Sequence, residues 1–179
     1  MAREISRALA GGGHAPLCFD RAAEGDAWRF PWVIGVGSPT LRKVIARRCP
    51  FDGEKPIDLL IDDMGRARLM LEYDFARRGC IRQAGARGTC DITLGVHTLV
   101  NLNVTIGHDV KLGDYSVINP GANISGHVTI GECVLVGAGA CIREGVTIGD
   151  GATVGMGSVV LKDVPAGEVW VGNPARRLR

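Results

Sequence analysis

The chain has 179 residues, 46% of them hydrophobic, and its 21 Lys and Arg against 19 Asp and Glu give a formal net charge of +2. This charge is too small to indicate nucleic-acid binding, and no basic run with interleaved aromatic residues is present. The apolar stretches are interrupted well before the length of a membrane span, and the N-terminus lacks the apolar core of a signal peptide. We therefore expect a cytoplasmic protein without a nucleic-acid or membrane partner.

The six cysteines show neither a CxxC pair nor the paired-His spacing of a zinc site. They predict reduced and mostly buried thiols, and no bound metal is expected.

The segment Gly11–Ala15, which contains Gly12, Gly13 and His14, looks like a phosphate-binding glycine turn. In isolation this motif is a weak signal, because a buried strand should precede it and the residues before it carry several charges.

A second strand-to-helix motif follows at residues 32–48. Trp32–Gly37 reads as a buried strand that contains Gly35 and Gly37. Ser38 is a good helix cap and Pro39 fits the first turn, so a helix is predicted to continue from there to Arg48.

The pattern of residues 51–93 predicts an irregular entry into a repeat. Leu69, Phe75 and Ile81 keep a six-residue step that is one residue out of frame with the repeat starting at Leu94. Small residues between positions 85 and 89 mark the place of the slip, so the repeat region is expected to begin near 60–70.

From Leu94 to Val160 every sixth residue, here called an anchor, is Ile, Leu or Val. The residue two before each anchor is small or β-branched, and Gly follows seven of the twelve anchors. A period of six excludes helical repeats and favours short strands joined by tight turns. Strand alternation directs the anchors and the residues two before them inward, while Gly is expected to relieve the turns. Stacked coils then share one continuous core.

This repeat resembles that of the hexapeptide-repeat acyltransferases, which fold as a left-handed parallel β-helix with three hexapeptides in each triangular coil. The resemblance implies that residues eighteen apart stack on one another, so twelve hexapeptides make four coils. The expected fold is mainly β. It comprises a shortened Rossmann-like α/β segment over 1–58, the β-helix over 59–163, and a C-terminal cap with a basic tail over 164–179.

The N-terminal order is similar to one branch of this family, which acetylates nucleotide-linked amino sugars or sialic acids. Its members begin strand–GxGGHA–helix and later show strand–(A/G)IG–x–helix with an Arg, and His14 and Arg42 fit these positions. Here the domain is shorter, and a degenerate segment without nucleotide binding is the alternative. The resemblance implies substrate binding by Gly12, Gly13, His14, Gly35 and Gly37.

Asn101–Asp114 closely resembles the active-site segment of the sugar acetyltransferases of this family, in which the His of an HD or HE pair is the general base. His108 lies just past an anchor, so its ring is expected to project outward. The adjacent Asp109 can favour its basic tautomer. One coil on, Gly126 should leave space beside the imidazole and expose a backbone N–H for an oxyanion. His127 stacks over Asp109 and is expected to shape the acceptor pocket or to be a partner for that carboxylate.

The co-substrate implied by the resemblance is acetyl-CoA. Two small-residue turns one coil apart would let the pantetheine chain approach the backbone, although they are equally explained as tight turns of the β-helix. Arg176 and Arg177 in the basic tail would meet the CoA phosphates, or else belong to a solvated tail. The expected groove residues are Gly137, Ala138, Gly139, Gly155, Met156 and Gly157.

The sequence therefore favours an acetyl-CoA-dependent sugar acetyltransferase that forms a homotrimer with active sites between subunits. One alternative is a non-catalytic β-helix platform for assembly. The other is a metal-dependent enzyme of the γ-carbonic-anhydrase type, with His97, His108 and His127 as ligands; their spacing lacks that family's close His pair.

Overall fold

A computed structural model of the protein describes residues 34, 37–48, 59–61, 67–69 and 79–178. The predicted substrate residues Gly12, Gly13, His14 and Gly35 lie outside the described residues. Within the described parts of the chain, no helix has the length and apolar character that crossing a membrane requires.

The predicted helix is confirmed as α1, Pro39–Arg48. Ser38 caps it, because its hydroxyl accepts a hydrogen bond from the Leu41 N–H at 3.4 Å and its carbonyl accepts one from the Arg42 N–H at 2.9 Å. Of the strand predicted just before it, Ile34 and Gly37 are described, and neither belongs to a strand.

The described residues contain eighteen short strands. They are β1 Leu59–Ile61, β2 Ala67–Leu69, β3 Ile81–Arg82, β4 Arg87–Gly88, β5 Thr93–Leu94, β6 Leu99–Val100, β7 Thr105–Ile106, β8 Lys111–Leu112, β9 Val117–Ile118, β10 Asn123–Ile124, β11 Thr129–Ile130, β12 Leu135–Val136, β13 Cys141–Ile142, β14 Thr147–Ile148, β15 Thr153–Val154, β16 Val159–Val160, β17 Val169–Val171 and β18 Arg176–Arg177.

These strands form the three faces of a triangular solenoid. Face 1 contains β3, β6, β9, β12, β15 and β17, with β1, β2 and β18 at its ends. Face 2 contains β4, β7, β10, β13 and β16, and face 3 contains β5, β8, β11 and β14. Strands of successive coils pair in parallel with residues eighteen apart, as Ile106, Ile124 and Ile142 show. The predicted left-handed parallel β-helix is thus confirmed, while the division into domains at 58 and 163 stays a prediction.

The predicted interior is also confirmed. All twelve anchors from Leu94 to Val160 are buried, and so are the twelve residues that lie two positions before them. At the C-terminal end, Val164 and Ala175 join the same apolar cluster and Trp170 packs against it, so this segment caps the core as expected.

The start of the β-helix near 60–70 stays a prediction. β1 pairs in parallel with β3 on face 1, whereas Leu69 lies in β2, which runs antiparallel to β1. The predicted frame slip is wrong, because Arg82 pairs with Val100 and Gly88 pairs with Ile106. The frame of six continues unbroken to Arg82, and the first coil simply carries Arg and Gly at two anchor positions.

The edges between the faces repeat a single backbone conformation. Every sixth residue from Gly79 to Gly157 has a left-handed φ, and half of these fourteen residues are not Gly. Edge A contains residues 89–91, 107–109, 125–127 and 143–145; edge B contains 95–97, 113–115, 131–133 and 149–151; edge C contains 101–103, 119–121, 137–139 and 155–157. Edge A lies between faces 2 and 3, and edge C lies between faces 1 and 2.

From the sequence, the Gly residues that directly follow the anchors were expected to relieve strain in the turns. The structure gives a different reason for Gly at these positions. None has a left-handed φ, but a Cβ added to Gly107 would lie only 2.5 Å from the Gly126 nitrogen on the next coil. These positions require Gly because the neighbouring coil passes too close for a side chain.

Part of face 1 is buried on its outer side. Its outward residues Leu99 and Val117 are fully buried, although they do not belong to the interior cluster. The fully buried Arg42 of α1 donates a hydrogen bond from Nε to the His97 carbonyl at 2.7 Å and one from Nη1 to the Ile34 carbonyl at 2.6 Å. Helix α1 is therefore fastened to edge B.

The prediction of mostly buried cysteines is wrong for those described. Cys80 is buried, Cys133 is half-buried, and Cys90 and Cys141 are exposed. The two exposed thiols occupy outward positions, on edge A and face 2, where burial was not required by the repeat.

Candidate functional site

The candidate base is held by its neighbour in sequence. The His108 Nδ1 atom lies 2.8 Å from the Asp109 Oδ2 atom, and about half of each side chain is exposed. The left-handed backbone of Asp109, with φ 58°, turns the chain at edge A and keeps both side chains outside the core. The hydrogen bond from His108 is the main reason that the pKa of Asp109 lies below its ordinary value. A carboxylate that stays ionised favours the tautomer with the proton on Nδ1, which leaves the lone pair of Nε2 for a substrate.

Gly126 lies beside the imidazole on the next coil, as predicted. A Cβ added to Gly126 would stand 2.7 Å from the His108 Nε2 atom and 2.8 Å from Cε1. The absent side chain therefore leaves the basic nitrogen accessible from this side.

The backbone N–H of Gly126 is a second feature of this residue that bears on the site. Among the described residues, no backbone or side-chain acceptor is recorded for it. The equivalent N–H groups on edge B are occupied by carboxylates: Val96 N donates to Asp114 Oδ1 at 2.9 Å, and Glu132 N donates to Asp150 Oδ1 at 2.8 Å. Carboxylate oxygens thus bind such groups on edge B, whereas no acceptor among the described residues meets the Gly126 N–H on edge A.

His127 completes the cluster. Its Nδ1 atom lies 3.7 Å from the Asp109 Oδ2 atom, and its ring stands perpendicular to the His108 ring with centroids 4.8 Å apart. The structure thus brings together four of the predicted residues, which are His108, Asp109, Gly126 and His127.

The predicted groove residues lie on a different edge from this cluster. The two turns stack along edge C, where the Gly157 N–H donates to the Ala138 carbonyl at 2.8 Å. Gly139 and Gly157 have left-handed φ values, and a Cβ added to either would meet nothing within 4 Å. The side chain of Met156 is 78% exposed. The edge is therefore open and apolar, which fits an extended alkyl amide chain such as pantetheine.

The two arginines of the predicted phosphate site lie in β18 and are exposed. Arg177 Nε lies 3.3 Å from Glu168 Oε1, whereas the Arg176 guanidinium donates to the Ala175 carbonyl. Gly37 is exposed just before the first turn of α1.

The three histidines of the metal-enzyme alternative are not brought together. His97 is buried on edge B, where its ring stacks on Tyr115 at 5.7 Å. Burial is the main reason that the pKa of His97 falls to about 4, and the Arg42 guanidinium adds to this effect. Donor atoms of His108, Asp109 and His127 lie within 4.8 Å of one another on edge A, without His97.

Sequence reasoning missed the buried outer side of face 1, although a signal was present. On four successive coils the residue before the face 1 anchor position is apolar, whereas Thr, Lys, Asn and Cys predominate at the same position on faces 2 and 3. A second period of eighteen therefore marks face 1. The apolar residues are Ile81, Leu99, Val117 and Leu135.

Comparisons with known proteins agree with this architecture. Residues 127–162 match the family model described as bacterial transferase hexapeptide (six repeats). No curated relative matches the chain. Among solved structures, the acetyltransferase domain of PglB from Neisseria gonorrhoeae FA1090 is 26% identical with a TM-score of 0.79, over 99% of this chain and 93% of that one. The same domain was also solved in complex with acetyl coenzyme A; that structure is 27% identical with a TM-score of 0.76, over 98% of this chain and 91% of that one.

A further structure supports the fold alone. PerB from Caulobacter crescentus, solved in complex with CoA and GDP-perosamine, is 22% identical with a TM-score of 0.79, over 99% of this chain and 93% of that one. Together, these findings confirm the predicted resemblance to the hexapeptide-repeat acyltransferases.

Proposed function

Because this chain has the repeat and the fold of the hexapeptide-repeat sugar acetyltransferases, we propose that it transfers an acetyl group from acetyl-CoA to a sugar. The observation that carries this proposal is the arrangement of His108, Asp109 and Gly126 on edge A. The acceptor is a nucleotide-linked amino sugar or the hydroxyl of a sugar such as sialic acid.

In this reaction His108 is the general base. Its Nε2 atom takes the proton from the acceptor nitrogen or oxygen as that atom attacks the thioester carbon. Asp109 holds the ring in the required tautomer and stabilises the imidazolium that forms. The proton then passes from His108 to the leaving sulfur, so no covalent enzyme intermediate is needed.

The Gly126 N–H is the proposed donor to the tetrahedral oxyanion. Support comes from edge B, where the equivalent Val96 and Glu132 N–H groups bind carboxylate oxygens. Donors of this kind are worth about 2.7–4 kcal/mol of transition-state stabilisation in other enzymes, because they are already oriented before charge develops.

Acetyl-CoA would bind along edge C, and its phosphates would reach Arg176 and Arg177. Face 2 separates edge C from His108 within one chain. The predicted trimer resolves this separation, because edge C of one copy can face edge A of the next. Exposed apolar side chains at Leu102 and Met156 support such a contact. The trimer and the cytoplasmic location stay predictions.

The test is thiol release from acetyl-CoA with a panel of acceptors. The panel contains UDP-, GDP- and dTDP-linked 4-amino sugars and sialic acid, each assayed with the wild type and with His108→Ala. We expect release that needs one acceptor class and is abolished in a folded His108→Ala variant, whose side chain lies outside the core. Retained activity in that variant would refute the mechanism. A wild type that neither releases thiol nor binds acetyl-CoA would favour the assembly platform.

A further inference from the structure

One carboxylate oxygen faces two imidazoles on edge A. Asp109 Oδ2 lies 2.8 Å from Nδ1 of His108 and 3.7 Å from Nδ1 of His127. The His127 N–H donates to the His108 carbonyl at 2.9 Å, so the backbone of His127 is tied to that of His108. The His127 side chain is 56% exposed, which leaves its ring in contact with solvent. The catalysis described above uses only one of these two rings.

The number of protons in the reaction differs between the two acceptor classes. A sugar hydroxyl loses one proton on acetylation, and that proton ends on the sulfur of CoA. A sugar amine is an ammonium below its pKa, so it loses two protons: one ends on the sulfur and the other must leave the site. A second basic group is therefore useful only with an amine.

We propose that His127 takes the first proton from an ammonium acceptor and that His108 takes the second. This inference rests on the proposed function. His127 converts R–NH₃⁺ to R–NH₂, whose lone pair forms the C–N bond while the carbonyl electron pair moves to oxygen. His108 removes the second proton, the C–S bond breaks, and the sulfur leaves with the electron pair and receives that proton. His127 returns its own proton to solvent, which balances the reaction as R–NH₃⁺ plus thioester giving amide, thiol and H⁺.

The charges around His127 fit this assignment. Asp109 and His108 lie on the coil below, Lys111 lies on face 3 of that coil, and Glu144 follows on the coil above. Asp91 and Arg143 also lie on edge A, and of the charged groups described there Asp109 is the one shown in contact with both rings. A cation on the His127 ring is stabilised by Asp109, whose pKa stays below its ordinary value because of the His108 hydrogen bond.

The variants that test this role must respect the backbone. His127 has a left-handed φ of 59°, a conformation that Asn and Gly adopt readily. We would therefore compare His127→Asn and His127→Gly with the wild type on a nucleotide-linked 4-amino sugar across pH, and on the matching 4-hydroxy sugar. Cys133→Asn is the folding control, because it places Asn on a left-handed corner of edge B, with φ 56°.

We expect kcat/KM of His127→Asn for the amino sugar to fall about tenfold near neutral pH. This deficit should disappear as the pH rises above the pKa of the ammonium, because the acceptor then arrives deprotonated. Added imidazole should restore part of the activity of His127→Gly, since the ring position is open to solvent. Any activity with the hydroxyl acceptor should fall less than the activity with the amino sugar at the same pH, because the hydroxyl has no second proton to lose.

A deficit that is constant with pH and is not relieved by imidazole would show a merely structural role. Full activity of both variants near neutral pH would also overturn the inference, as would a wild type that acetylates hydroxyls alone. The proposed function fails separately, through His108→Ala retaining activity or through a wild type without thiol release.

Discussion

Gly126 lies directly beside His108 on the next coil, and a Cβ on Gly126 would lie 2.7 Å from the His108 Nε2 atom. The nitrogen proposed as the base is thus the atom that a side chain at position 126 would displace. This relationship connects the repeat length to the chemistry, because only a coil of eighteen residues places these two positions against each other.

Gly126→Ala should reduce activity without unfolding the protein. Gly126 has no left-handed φ, so Ala fits its backbone, but the methyl group must push the His108 ring aside. A displacement of about 1 Å is enough to lower kcat/KM by about 100-fold. Steady-state kinetics and thermal melting check this together. Wild-type kcat/KM would show that the ring moves away harmlessly, and that Nε2 is not the acting atom.

Asp109→Asn should lower kcat/KM by about 10- to 100-fold and shift the acid limb of the pH–rate profile to lower pH. The amide has no charge with which to stabilise an imidazolium at His108. In the wild type the depressed pKa of Asp109 keeps its carboxylate ionised below the ordinary range. The acid limb of the wild type should therefore not report the titration of this aspartate.

The control for this change is Asp91→Asn. Asp91 lies one coil below on the same edge and also has a left-handed φ, 55°. An acid limb that moves equally in both variants would mean that general surface charge, rather than the contact with His108, sets the profile.

His97 should make the protein less stable in acid. Its pKa is lowered to about 4, mainly by burial, against 6.5 for an ordinary histidine. Below pH 6.5 His97 is protonated in the unfolded chain, but in the folded chain it binds this proton only below about pH 4. The free energy of unfolding therefore falls as the pH decreases through this window. Between about pH 7.5 and pH 5 the loss should be about 2 kcal/mol.

Urea unfolding of the wild type and of His97→Asn at both pH values measures this loss in the free energy of unfolding. Asn accepts the left-handed φ of 54° at this position and does not titrate. We expect the variant to be weaker at neutral pH, because its stacking on Tyr115 is lost, but to lose less on acidification. An equal loss in both proteins would contradict the assignment to His97.

Arg42→Ala should destabilise the attachment of α1 to the β-helix by about 3 kcal/mol or more. The guanidinium is fully buried, and its removal leaves the carbonyls of His97 and Ile34 without these donors. Arg47→Ala on the same helix is the matched control, because Arg47 is exposed and its loss should change stability by about 0.5 kcal/mol at most. Equal melting of the two variants would contradict this role of Arg42.

The interior and the catalytic edge were predictable because both follow from one period. Anchors at Leu94 to Val160 fix which side chains point inward, and the coil of eighteen then places Gly126 beside His108. None of this depends on distant parts of the chain. The contact between His108 and Asp109 could not be predicted, because adjacency in sequence does not determine which way the two side chains turn.

What the sequence did not reveal depends on packing between distant segments or on backbone conformation. The six-residue repeat extends back to position 82, but this could not be recognised in the sequence. Arg82 and Gly88 occupy anchor positions, and neither is an Ile, Leu or Val. The burial of His97 depends on its edge facing α1, as the contact from Arg42 shows. The left-handed corner was obscured because Asp, His, Asn, Tyr and Cys all occupy it as well as Gly.

The regular left-handed corners have a consequence for how this molecule can change. A residue there has its backbone fixed by hydrogen bonds to the coil below, as in His127 N to His108 O, and its side chain takes no part in the core. Substitutions on edge A, where His108, Asp109 and His127 are about half exposed, can therefore alter reactivity with little effect on stability, unlike substitutions of the buried His97 on edge B. At the outward positions of edge A, single mutations can exchange His, acidic residues and Gly without changing the residues that fill the core. The residues that determine reactivity on edge A are therefore different from the residues that maintain the fold, and the two sets can change independently in evolution.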